Sequence, residues 1–131
     1  MRDERRQYVI YISGAYSGTS EQISENIVMA RQWAIKIWEA GFTVLCPHLN
    51  TAHFEIDCKM DYGCYIDGDL HLLDRCDAVF MIPENWKLSP GAHEEHDHAK
   101  RTDKPIFYKF ENLLLYNWID PWDVLLGGHN E

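Results

Sequence analysis

The side chains best equipped for chemistry lie in Ser89-Pro90-Gly91-Ala92-His93-Glu94-Glu95-His96-Asp97-His98-Ala99-Lys100. Ser89 is a good helix N-cap. Pro90 suits the first helical position, where its missing N–H has no partner to lose. Gly91 and Ala92 leave the backbone open to close approach. A helix N-terminus points unpaired N–H groups at whatever lies before it, so it receives anions and polar groups. Glu95 falls in the second turn beside that spot, where a carboxylate is either a dipole partner or a reagent. Glu94 is one position off and is expected to face solvent. The three histidines invite a metal reading. The zinc-binding HExxH pattern, however, needs its histidines four apart on one face, whereas His93 and His96 are three apart with no further pattern. No metal and no organic cofactor are expected.

Two more polar segments accompany this one. Ser13-Gly14-Ala15-Tyr16-Ser17-Gly18 has glycines four apart. It is therefore neither the GxGxxG dinucleotide fingerprint nor a P-loop, whose lysine it lacks. Pro47-His48-Leu49-Asn50-Thr51-Ala52-His53 reads as an irregular polar loop.

These segments follow apolar runs that must position them. Tyr8–Ile12, Phe42–Cys46, Cys76–Ile82 and Pro105–Phe110 read as strands, apolar on both faces as in a parallel sheet covered by helices. Glu21–Ala40 has helical spacing, with Ile23, Ile27, Ala30, Ala34, Ile37 and Trp38 as its buried stripe, Thr19 or Ser20 as its cap and Gly41 at its end. Tyr65–Arg75 reads as a second helix, and the stretch from Ser89 to about Arg101 as a third. Phe54–Gly63 shows no period and reads as a mobile flap. The tail, with Leu113–Tyr116 and Trp118–Leu126, reads as one more short helix. Alternating strands and helices predict an α/β three-layer sandwich around a parallel sheet of four to five strands, in one domain spanning 1–131. Ligands in such sheets bind beyond the C-terminal strand ends. Tyr16, Ser17, His48, Asn50, Ser89 and Glu95 should therefore converge on one pocket.

Composition narrows the function classes. The chain has 131 residues, 46% of them hydrophobic, so it can build a real core. A net charge of −9 disfavours binding to nucleic acid polymers. No apolar run is long enough to span a membrane. Met1–Arg6 is charged and leads straight into a strand, without a signal-peptide pattern. Cys46, Cys58, Cys64 and Cys76 form no CxxC pair, which fits free thiols in a reducing cytoplasm.

Several of these segments carry a resemblance. Tyr11-Ile12-Ser13-Gly14-Ala15-Tyr16, Cys46-Pro47-His48-Leu49-Asn50, Gly68-Asp69-Leu70 with Leu73, Cys76-Asp77-Ala78-Val79, and Ser89-Pro90-Gly91-Ala92 with Glu95 resemble the nucleoside 2-deoxyribosyltransferase superfamily. Within it the chain is most similar to a small DUF4406-type branch, near the nucleotide N-glycosidases. The similarity covers about residues 8–110. It implies a Rossmann-like fold and cleavage of the N-glycosidic bond of a (deoxy)ribonucleoside 5′-monophosphate, without metal or cofactor. It implies that Glu95 is the nucleophile, that Asp69 binds the sugar or assists the leaving base, and that Tyr11 and the Ser13–Gly18 loop belong to the site. Ser89, with the Gly91 and Ala92 N–H groups, would hold a phosphate or 5′-hydroxyl, and Tyr16 or Trp86 would stack on the base. The deoxynucleotide N-hydrolases among these relatives carry a basic residue in the first loop, near the phosphate, where this chain has Ser17. A deoxyribosyltransferase using a base as acceptor and a non-catalytic nucleotide sensor are the alternatives. A homo-oligomer is expected, because such relatives often complete the site from a neighbouring subunit.

Overall fold

The computed structural model describes residues 4–118. Four parallel strands, β1 (Val9–Ser13), β2 (Thr43–Leu45), β3 (Ala78–Met81) and β4 (Ile106–Phe107), form one sheet in the order β2-β1-β3-β4. The helices are α1 (Ser20–Glu39), α2 (Pro47–Asn50), α3 (Phe54–Asp57), α4 (Tyr62–Asp74), α5 (Pro90–Arg101) and α6 (Phe110–Leu115). Strand order reverses at β1, whose neighbours are β2 on one side and β3 on the other. Connections from adjacent strands diverge there and leave a crevice at the C-terminal strand ends.

Strand periodicity builds two cores. Ile10 and Ile12 of β1 share one face with Ala78, Phe80 and Ile82, packed on Ala30, Ala34 and Ile37 of α1 and on Leu113 of α6. Tyr11, Val79 and Met81 point the other way, against Leu73 of α4 and Ala92 and Ala99 of α5. The result is the expected three-layer α/β sandwich, with four strands among the described residues. Full burial of a side chain such as Phe80 or Leu73 contributes about 2–3 kcal/mol, and these contacts hold both helical layers onto the sheet. Among the described residues no helix is long and apolar enough to cross a membrane, and all four cysteines are free thiols.

Helix α1 starts as its sequence demands. Thr19 is the cap: its hydroxyl accepts from the Gln22 N–H, and the Gln22 side chain accepts from the Thr19 N–H. Several boundaries differ from the sequence reading. Trp38 leaves the buried stripe and is 43% exposed, because Ile37 already occupies the inward position; the Arg6 guanidinium lies over its ring at 5.4 Å. Pro47–His53 is not wholly irregular: Pro47 pre-sets the first turn of α2, and the Leu49 and Asn50 N–H groups donate to the Cys46 carbonyl. Phe54–Gly63 contains α3 and the start of α4, which begins three residues before the expected Tyr65. The last strand shrinks to Ile106–Phe107, since Phe110 opens α6 instead. Of the tail expected to hold one short helix, Leu113–Leu115 belong to α6, and the residues beyond Trp118 lie outside the described residues.

Candidate active site

Residues alternate across β1, so Tyr11 and Ser13 project from the same face, toward α5. On α5, Gly91, Ala92, Glu95 and Ala99 are the buried residues, at helical spacing. Glu95 is thus a carboxylate on an apolar stripe, only 7% exposed. Its Oε2 accepts from the Tyr11 hydroxyl at 2.7 Å and its Oε1 from the Ser13 hydroxyl at 2.6 Å. No cation lies within salt-bridge distance of Glu95 among the described residues. Burial pushes the Glu95 carboxyl up to about 7; the two hydroxyls pull it back, and the Asp69 charge pushes it further up. Burial beside that carboxylate drives Tyr11 well above the ordinary phenol range, so it stays a donor.

Glu95 forms part of the wall of a cavity of about 490 Å³ at the C-terminal ends of β1 and β3. Asp69 of α4 lines the same cavity, and burial alone raises its carboxyl to about 6. Two carboxyls titrating near neutrality in one crevice can divide nucleophilic and proton-transfer roles. A structural carboxylate has no need of this arrangement, and burying one unpaired is costly.

The first loop is held from behind. The Ala15 N–H donates to Asn85 Oδ1 at 3.0 Å, and Asn26 Nδ2 donates to the Tyr16 carbonyl at 3.0 Å. A Cβ on Gly14 would sit 2.5 Å from the Ile82 side chain, so this turn requires glycine. His48 donates from Nε2 to the Ala15 carbonyl at 2.8 Å. Its Nδ1 is therefore the acceptor nitrogen, and it is buried without a partner among the described residues. Tyr16 ties this loop to α3: its hydroxyl donates to Glu55 at 2.7 Å and accepts from the His53 N–H at 2.8 Å. His53 takes a left-handed backbone, φ 62°, to present that N–H. The stretch read as a flap is thus bonded to the first loop, and Thr51, Glu55, Cys58 and Met60 form part of the cavity wall.

The predicted residues sort by geometry. Gly14, Ala15, Tyr16, Ser17, His48, Asp69, Ser89, Gly91, Ala92 and Glu95 line the cavity. Tyr11 and Ser13 do not; they are fully buried and hold Glu95. Asn50 also lies outside the lining and is exposed, since the α2 turn directs His48 inward in its place. Trp86 is a correction as well. It is buried in the second core, stacked on His96 at 4.8 Å and packed on His93 and Tyr108, away from the cavity. The three histidines of α5 take separate partners, His93 at the Lys87 carbonyl, His96 at Tyr108 and His98 at Asp74.

The sequence reading singles out Asp69 but misses the rest of its wall. Tyr62, Tyr65, Ile66 and Asp69 all line the cavity, and their spacing of three and four puts them on one face of α4. That periodicity is legible once the helix begins at Tyr62 and not at Tyr65. Gly91 allows the approach of this wall: a Cβ there would stand 2.8 Å from the Tyr62 hydroxyl and 3.2 Å from Ile66.

Comparison with known proteins places residues 8–108 in a family described as a domain of unknown function, DUF4406. No curated protein matches the chain. With about three quarters of its length covered by that profile, the chain belongs to the DUF4406 family.

Proposed function

We propose that this protein cleaves the N-glycosidic bond of a (deoxy)ribonucleoside or its 5′-monophosphate, with Glu95 as nucleophile. The observation that carries this is the buried Glu95 carboxylate, without a salt-bridge partner among the described residues, oriented by Tyr11 and Ser13 and facing a cavity shared with Asp69. The resemblance of the same segments to nucleoside 2-deoxyribosyltransferases supports it.

The ionised Glu95 attacks C1′ as the C1′–N bond breaks with its electron pair passing to the base. Asp69, as the neutral acid, gives that base a proton. The oxocarbenium-like charge on the sugar lies between two carboxyls, and an ester to Glu95 forms. Water then adds at C1′, its proton goes to Asp69, and the Glu95 carboxylate is released. Net consumption is one water per base freed. Ser89 leaves room for sugar binding, because its oxygen accepts from the Ala92 N–H at 3.1 Å while its own hydrogen remains available.

Chromatography tests this directly. The protein is incubated with ribo- and deoxyribonucleosides and their 5′-monophosphates, with and without an acceptor base. Free base, or with acceptor a new nucleoside, is expected from at least one donor. Binding without any product would instead indicate a sensor.

A further inference from the structure

We propose that the cavity selects N-glycosides whose aglycone is positively charged, such as an N-alkylated purine or a pyridinium, over neutral nucleosides and over 5′-phosphates. The cleavage step rests on the function proposed above; the charge preference rests on the cavity wall.

That wall holds three carboxylates, Glu55, Asp69 and Glu95, and among the described residues no lysine or arginine. Its one basic side chain, His48, is buried and donates to the Ala15 carbonyl, and burial lowers its pKa, so it stays neutral. Partial burial pushes the Glu55 carboxyl up, but the Tyr16 hydroxyl, the backbone and His53 outweigh this and hold it below the ordinary range. Glu55 is thus a fixed negative charge on the cavity wall. Tyr16, Tyr62 and Tyr65 supply aromatic surface in the same wall. Outside the wall, His53 Nδ1 stands 3.7 Å from Glu55 Oε2. Aromatic faces with carboxylates, in a wall without lysine or arginine among the described residues, are the chemistry that recognises delocalised cations. A net charge of −9 steers cations inward and repels anions.

The place where a phosphate was expected is largely occupied. At the start of α5, Pro90 has no N–H, the Ala92 N–H donates to Ser89 Oγ, and the His93 N–H donates to the Ser89 carbonyl. Only the Gly91 N–H and the Ser89 hydroxyl hydrogen remain there, with no lysine or arginine in the wall among the described residues. A cationic aglycone also simplifies departure. As the C1′–N bond breaks, its electron pair neutralises the ring, which leaves as a neutral base without a proton. The positive charge passes to the sugar, between Glu95 and Asp69.

The test is calorimetric binding to full-length Glu95→Gln, which does not turn over the probe. The probes are nicotinamide riboside (cationic), dihydronicotinamide riboside (neutral, near-identical shape) and nicotinamide mononucleotide (5′-phosphate added). The cation is expected to bind about tenfold tighter than the neutral form, and the mononucleotide more weakly than the riboside. Adding Glu55→Gln, which keeps an acceptor for the Tyr16 hydroxyl, should cut the cation's advantage to about threefold or less. Equal binding of cation and neutral form, tightest binding of the mononucleotide, or no binding by any probe overturns the proposal. Wild-type turnover separates the two claims. Preferential binding of the cation, with no base released from it or from any donor of the nucleoside and nucleotide panel, would refute the glycosidase and leave the charge preference standing. Base release with equal efficiency from neutral or phosphorylated donors would do the reverse.

Discussion

Replacing Glu95 by glutamine is expected to reduce base release roughly 1,000-fold or more while making the folded protein more stable above neutral pH. Both effects have one cause. The carboxyl is only 7% exposed, and burial lifts it from an ordinary value of 4.5 to about 7. A folded-state pKa above the unfolded one means that folding favours the protonated acid. That contribution is complete below about pH 4.5 and is lost as pH rises to about 7. At pH 8 the buried anion therefore costs on the order of 3 kcal/mol relative to the neutral acid. Glutamine keeps the shape and carries no charge, and its amide nitrogen can donate to the oxygen of Tyr11 or Ser13. Thermal unfolding at pH 8 should rise by several degrees in Glu95→Gln, with the difference closing toward pH 4.5. A variant that is less stable at pH 8 would mean that the carboxylate is structural. Retention of stability-costing groups at reactive sites is a general pattern.

The second large effect is in the pH profile and its response to Asp69→Asn. Attack needs Glu95 ionised, and proton donation needs Asp69 neutral. With these groups pushed up to about 7 and about 6, activity on a neutral donor should form a narrow bell peaking between those values. The two limbs belong to the coupled pair rather than to either residue alone, because the Asp69 charge itself raises Glu95. Asp69→Asn should lower the rate on neutral donors about 100-fold, abolish the alkaline limb and leave a single rise with pH set by ionisation of Glu95 alone. A profile whose limbs do not move in Asp69→Asn would remove this residue from the chemistry. In Ser13→Ala the bell should persist and be displaced upward, since the Ser13 hydroxyl lowers the Glu95 pKa.

Much of this arrangement was readable from the chain. Runs such as Tyr8–Ile12 and Ala78–Ile82 are apolar on both faces, which only a helix-covered parallel sheet can bury. Ser89-Pro90 marks the start of α5 by capping chemistry, and Glu95 follows at the spacing of the buried Gly91 and Ala92. The opposite wall was harder to see. Tyr62 and Gly63 precede the apolar periodicity of α4, so spacing alone starts the helix at Tyr65 and leaves Tyr62 outside it. Tyr11 and Ser13 share one strand face, yet only the packing of α5 over that face shows that both hydroxyls meet Glu95. Trp86 stood at the right strand end, but the short helical turn Trp86–Leu88 turns its ring toward His96 and Tyr108. Such long-range pairings, like the hydrogen bond from Tyr16 to Glu55, have no local sequence signal.

The most direct measurement is to trap the covalent intermediate. A donor bearing fluorine at C2′ destabilises the oxocarbenium-like state and slows release of the sugar from the enzyme. The protein is mixed with such a donor, quenched, digested and weighed by mass spectrometry. The expected result is a sugar adduct on the peptide that contains Glu95, formed in step with the first equivalent of free base and missing from Glu95→Gln. An adduct on another residue, or base release at the wild-type rate from Glu95→Gln, would contradict the nucleophilic role of Glu95.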